Sequence, residues 1–348
     1  RSDLYASRWP QADDLVEAIQ AASSADALVA AARQVQASAA AMVDRGESAA
    51  RISEWIAILN DLIVLVAIDL AEAEFDLPLV RWCWLAFGSE GRLEQTLVTD
   101  QDNGIIFATD KGEDADQLRA RFLPFAQHVN ALLDRCGFSL CKGGVMAGNP
   151  KWCLSLAEWR GCFAEWMRAV SADDLLNSTI FFDFRPMAGD WALPMALKRW
   201  LLQMAADNPL FLRFMAANAL RSGPPLGRIR DFVVDRETGQ LELKRDGSRP
   251  FVDVARIYAL ALGLPETSTA ERLRAAGAVL RWDSRECNAL VEALDFIQQL
   301  RLRRQRVPGS PANRVSPDDL NDLERAFLKE SFRQARRLQH KLQTRYQL

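Results

Sequence analysis

The chain has 348 residues, 49% hydrophobic and 26% charged, the proportions of an ordinary globular protein with one large domain or two modest ones. Its 43 Lys and Arg balance 46 Asp and Glu to a net charge of −3, so no global field draws it to nucleic acid or to a membrane surface. Two histidines, His128 and His340, argue against a Ser-His-Asp triad or a multi-histidine metal site.

The six cysteines, Cys83, Cys136, Cys141, Cys153, Cys162 and Cys287, form no C-x-x-C pair and read as reduced, mostly buried thiols. The longest apolar candidate for a span, Leu62–Ile68, is far too short for a membrane and is closed by Asp69. With no apolar leader at the start, a cytoplasmic location is expected. The opening RSDLYASRWP lacks a methionine, and the chain is read as the C-terminal part of a longer protein.

In chain order, residues 10–76 predict helix. Ser23 or Ser24 caps a segment with Leu28, Val29, Ala32 and Val35 at helical spacing. Gly46 breaks the pattern, and a long apolar stripe through Ile52, Trp55, Ile56, Leu59, Leu62, Ile63 and Val66 ends before Pro78. The texture then turns β-rich: VRWCWLAF suits a buried strand and GIIFA, 104–108, a second. An amphipathic helix lies between Asp114 and Arg135, and GFSLC, 137–141, predicts a third strand before the turn GGVMAGNP.

The remainder reads as largely helical. Trp159, Phe163 and Trp166 mark one helix, and STIFFDFRPMAGD, 178–190, is either extended or a buried helical piece. A hairpin is predicted over 230–247 with its turn near Thr238-Gly239, and helices resume over Arg249–Leu264 and Thr269–Ala278. After the Pro-rich loop VPGSPANRVSP, Ser316 and Pro317 open a last helix.

The chemistry gathers in LAFGSEGRLEQTLVTDQDNGIIF, 85–107. Residues alternate faces along an extended segment, so Asp100 and Asp102 project from the same side. Two close carboxylates repel unless a cation lies between them, and oxygen donors without His or Cys favour Mg²⁺. Gly88 and Ser89 end the preceding strand, where a glycine lets backbone N–H groups approach phosphate oxygens. Arg92 can add a charge-assisted hydrogen bond to the same phosphates. A phosphate grip beside a metal pair suits in-line attack on a nucleotide α-phosphate. A solvated pair of aspartates capping a strand is the plainer reading of the same residues.

The GSEGRLEQTLVTDQDN segment resembles the signature of polymerase-β-type nucleotidyltransferases, more closely the nucleotidyltransferase domain of protein-PII uridylyltransferases. Gly88, Ser89, Gly91, Arg92, Glu94, Thr99, Asp100 and Asp102 occupy the motif positions. Over nearly the whole chain the sequence is similar to the nucleotidyltransferase-like module of bacterial signalling proteins that follows cyclic-nucleotide-binding and CBS domains. That match extends through ISEWIAILNDLI, GGVMAGNPKW, IFFDFRPMAGD, RIYALALGL, STAERL and LRLRRQ.

The resemblance implies an α+β fold: a polymerase-β-like core with a small mixed sheet over 78–155, a helical segment over 1–77 and a mostly helical domain over 156–348. It implies Mg²⁺-dependent transfer of UMP or AMP from UTP or ATP to a protein acceptor, a PII-like regulator among the candidates, with upstream regulatory domains. Asp100 and Asp102 hold metal on this reading, while Gly88, Ser89 and Arg92 hold the nucleotide; Lys142, beside GGVMAGNP, reaches a phosphate or the base or is a solvated lysine at a strand end. A third carboxylate is expected, Asp183 first and Asp174 behind it, with an Asp183–Arg185 ion pair as the alternative for Asp183. An inactive nucleotide-binding signalling module is the contrasting reading. The His-Asp phosphohydrolase and ACT domains of the uridylyltransferases have no counterpart here, so their demodifying activity is not expected.

Four further features carry a bland reading beside a functional one. Asn149, Pro150 and Trp152 shape a base pocket or only a packed turn. Arg301, Arg303, Arg304 and Arg306 form a solvated helix face or meet an acidic partner. Glu94 and Gln95 orient Arg92 or cap a short helix. The ten tryptophans read as packing rather than as a stacking platform.

Overall fold

A computed structural model describes residues 13–110, 112–168, 179–227, 232–307, 309 and 311–348. The chain divides into two compact units. The first gathers the described residues up to Arg45 with Ile52–Arg160 and Phe184–Leu197; the second holds Gly46–Arg51, Gly161–Asp183 and Lys198–Leu348. The N-terminal helices thus cluster with the sheet, where sequence patterning set 1–77 apart from 78–155.

In the first unit, α1 (Asp13–Gln20), α2 (Ala25–Asp44) and α3 (Ala49–Glu72, whose first turn falls in the second unit) precede the sheet. Ser24 caps α2, its hydroxyl accepting from Ala27 N, and Gly46 supplies a left-handed break at φ 75°. The strand β1 (Trp82–Ala86) lies antiparallel to both β2 (Asn103–Phe107) and β4 (Arg185–Gly189), while β2 runs parallel to β3 (Cys153–Ser155). The order is β3-β2-β1-β4, the small mixed sheet of an α+β fold. Between β1 and β2 stands the one-turn α4 (Gly88–Gly91), and α5 (Ala115–Arg135) follows β2.

The sheet is apolar because α5 covers it. Phe122 and Phe125 of α5 meet Trp82, Trp84 and Phe107 at ring centroids of 5.5–6.3 Å. Such edge-to-face and stacked rings bury large area at favourable quadrupole geometry.

GFSLC is not the third strand. Phe138 is buried, but Leu140 stays 47% exposed and Ser139 makes only an isolated bridge to Asp100, so the segment does not join the sheet as a strand. Cys153–Ser155, three buried residues, takes that place. The segment 178–190 resolves into a 3-10 turn, Thr179–Phe182, followed by β4, with residue 178 outside the described residues.

The second unit is helical, and α6 (Leu156–Arg168) and α7 (Ala192–Ala206) each begin in the first unit and end in this one. They are followed by α8 (Pro209–Ala219), α9 (Arg249–Leu262), α10 (Thr269–Leu280), α11 (Ser284–Gln305) and α12 (Asp322–Tyr346). Its predicted hairpin is not formed within 232–247. A turn closes at Gly239 (φ 65°), but β5 (Leu241–Glu242) pairs with β6 (Arg314–Val315) instead. Ser316 caps a 3-10 turn, and Asn321 caps α12 through a capping box with Glu324. No described helix is long and apolar enough to cross a membrane.

The arginine run at the end of α11 is a solvated face only in part, at the exposed Arg303 and Arg306. Arg301 is buried, donates to Asn313 Oδ1 at 2.9 Å and meets Gln298; Arg303 pairs with Glu324 at 2.8 Å and Arg304 with Asp319 at 3.1 Å.

Candidate functional site

The site begins where β1 ends. Gly88 adopts φ 58°, a left-handed conformation that disfavours a side chain, and the chain winds through the single turn of α4. Phe87 provides no side-chain cap, and among the described residues no protein acceptor meets the N–H groups of Gly88, Ser89 and Glu90. These are the orphan donors of a first helical turn.

The turn is closed from its other end. Glu94 N donates to Ser89 O (2.8 Å) and Leu93 N to Glu90 O (3.1 Å), a Schellman closure with Leu93 at the left-handed position (φ 60°). Arg185, at the start of β4, donates through Nε to Glu90 O (3.0 Å) and grips Asp61 of α3 with both terminal nitrogens, at 2.6 and 2.9 Å. Burial raises the Asp61 carboxyl against the pull of Arg185. Burial also pushes the Glu90 carboxyl up to about 8, with Arg185 opposing and Asp61 and Asp102 reinforcing. Glu90 is therefore mostly protonated at neutral pH, and it is a group that sequence patterning did not single out.

Arg92 pairs with Glu94 at 2.7 Å, which realises the expectation that Glu94 orients it. Gln95 turns away, its Oε1 accepting from Asn60 Nδ2.

The TDQDN segment alternates as its sequence requires. Asp100 is exposed and Asp102 half-buried, while Gln101 and Asn103 are buried at 1% and 2% exposure. Asp102 stands beside the Gly88 turn, since Phe87 N donates to Asp102 O at 2.8 Å. The Cys141 thiol donates to the Asp102 carboxylate, and burial holds that thiol above its ordinary range.

Beneath the aspartates the inward amides are satisfied in full view of one another. Gln101 Nε2 donates to the carbonyls of Asn130 and Phe138, both at 2.9 Å. Asn130 Nδ2, from α5, donates to Gln101 Oε1 (2.8 Å) and Asn103 Oδ1 (3.0 Å). The same side chains accept from the loop: Ala147 N reaches Asn103 Oδ1 and Gly148 N reaches Asn130 Oδ1. Neither quoted motif contains Asn130. Its one sequence signal is a carboxamide among the apolar positions of an amphipathic helix.

Lys142, on that loop, is exposed and meets no partner among the described residues. Asn149 closes the loop, donating to Gly144 O and capping the turn Pro150–Trp152, while Trp152 stacks on Trp159 at 6.2 Å.

Asp183 lies in the second unit and is fully buried. Its oxygens accept from Arg256 Nε (3.0 Å), Arg256 Nη2 (2.6 Å) and Arg272 Nη1 (2.6 Å). The expected Asp183–Arg185 pair is replaced by these two partners, and Arg185 serves Asp61. Asp174 lies outside the described residues. Among the described residues no group of three or more His, Cys, Asp or Glu is gathered so as to hold a metal ion.

Two family models match the chain: "Putative nucleotidyltransferase DUF294" over residues 33–173, and "Putative nucleotidyltransferase substrate binding domain" over 209–346. Together they cover more than half of it. No curated protein matches.

Proposed function

Because the chain belongs to this family of nucleotidyltransferases, we propose that it transfers a nucleoside monophosphate, UMP or AMP, from UTP or ATP to a protein acceptor in the cytoplasm. One observation carries the reading. The outward pair Asp100/Asp102 stands beside a glycine turn whose N–H groups have no protein acceptor among the described residues.

On this reading the N–H groups of Gly88 and Ser89 hold phosphate oxygens, and Gly88 lets the backbone come close enough to do so. Arg92, oriented by Glu94, adds charge to the same phosphates, and Lys142 reaches the nucleotide from the loop. Asp100 and Asp102 fit Mg²⁺: both are hard oxygen donors on one face, and that ion keeps water and phosphate oxygens in its remaining positions. When bound, the ion stabilises charge on the attacking and leaving oxygens. The acceptor hydroxyl oxygen bonds to the α-phosphorus and its proton passes to water, the α–β bridge breaks, and pyrophosphate leaves.

The likeness to protein-PII uridylyltransferases supports UTP and a PII-like acceptor, and the signalling-module likeness supports control by upstream domains. A second reading, a nucleotide-binding signalling module without catalysis, is favoured by the engagement of Asp183 with two arginines. The test incubates the protein with each NTP, labelled in turn at the α- and γ-phosphate, with Mg²⁺ and a cell lysate. Transfer puts the α-label on one protein band and the γ-label into pyrophosphate. Saturable NTP binding with no labelled band upholds the second reading.

A further inference from the structure

Gln101, Asn103 and Asn130 bury three carboxamides, at 1%, 2% and 5% exposure, beside a sheet that is otherwise apolar through Ile105, Ile106 and Phe107. A buried amide adds nothing to a core that hydrophobic side chains could fill, and it costs free energy wherever a partner is missing. Here the partners are supplied, and they converge on two residues, those on either side of Asp102. The backbone is pinned at the same points: Gln101 N donates to Ser139 O at 2.8 Å and Asn103 N to Val145 O at 3.1 Å. Because side chains alternate along an extended segment, holding Gln101 and Asn103 inward holds Asp100 and Asp102 outward. A slip of one residue would exchange the two sets.

We propose that Asn130 is a positioning residue: its carboxamide clasps Gln101 and Asn103 and thereby sets the Asp100/Asp102 pair for a divalent cation. This rests on the reading that the pair holds such an ion. The clasp also ties the loop bearing Lys142 to the same segment, through Ala147 and Gly148, so loop and aspartates keep one geometry.

The test measures Mn²⁺ binding by the loss of its free-ion paramagnetic resonance signal, alongside the thermal midpoint. Wild type, Asn130→Ser, the near-isosteric Gln101→Met and the double variant Asp100→Asn/Asp102→Asn are compared. Groups that orient metal ligands typically govern affinity by about tenfold or more. The expected result is about tenfold weaker Mn²⁺ binding in Asn130→Ser and Gln101→Met, and loss of the site in the double variant. A purely structural amide lowers the thermal midpoint and leaves Mn²⁺ affinity unchanged, which overturns the proposal. If Asn130→Ser does not fold, Gln101→Met decides alone. Wild type binding no more Mn²⁺ than the double variant overturns the metal reading itself, and the positioning role with it.

Discussion

The two units use aspartates in opposite ways. In the sheet unit Asp100 and Asp102 face outward, and the polar groups beneath them are amides satisfied among themselves. In the helical unit Asp183 faces inward, and Arg256 and Arg272 take up both of its oxygens. Asp100 is exposed and Asp102, although it accepts from the Cys141 thiol, is only half-buried, so the pair keeps oxygen surface for a ligand. A carboxylate that closes its neighbours' bonds is committed to the fold. Asp183 is therefore a structural ion in our reading, although its sequence context, FFDFR, suggested the third metal ligand.

The sharpest break in this contrast comes from Asp183→Asn. Removing one partner of a buried ion pair leaves the other uncompensated, which costs about 3–5 kcal/mol. Denaturant unfolding of Asp183→Asn should show a loss of that order, while Asp100→Asn and Asp102→Asn stay within about 0.5 kcal/mol of wild type. Equal losses at all three positions would erase the distinction.

Lys198 sharpens the comparison by pH. It is buried near Arg272 and Asp183, and burial, with Arg272 reinforcing, pulls its amine down to about 7. Its pKa is lower folded than unfolded, so protonation favours the unfolded chain. Stability is present above the unfolded value near 10.5 and is lost as pH falls through about 7. Thermal melts between pH 10 and 6 should show wild type losing ground to Lys198→Met; parallel curves would contradict this.

Gly88→Ala acts on the phosphate side alone. A side chain at φ 58° costs about 1 kcal/mol, visible as a small drop in thermal midpoint together with weaker NTP binding by calorimetry. Unchanged binding would free the turn from its role. The smallest effect is expected from Lys142→Met: an exposed cation contributes about 1 kcal/mol or less. NTP affinity should fall by several-fold, less at high salt, with no change in stability.

The sequence carried the alternation of TDQDN, the break at Gly88 and the apolar strands, because each is written in neighbouring residues. It did not carry Asn130, whose partners lie 27 and 29 residues away and leave no periodic trace. The strand at Cys153–Ser155 is too short for a pattern of its own, whereas GFSLC had the composition of a strand without the burial. At α12, Ser316-Pro317 gave a start signal, but the reciprocal capping box of Asn321 and Glu324 fixed the true start five residues on. Asp183 stood beside Arg185 in sequence, yet that arginine reaches Asp61, so proximity along the chain named the wrong pair.

Labelling an acceptor with α-phosphate-labelled NTP tests the central claim most directly, with wild type compared against Asp100→Asn/Asp102→Asn, each shown by melting to be folded. The account predicts a labelled acceptor with wild type and none with the double variant at the same thermal midpoint. Undiminished labelling by the folded double variant would contradict it.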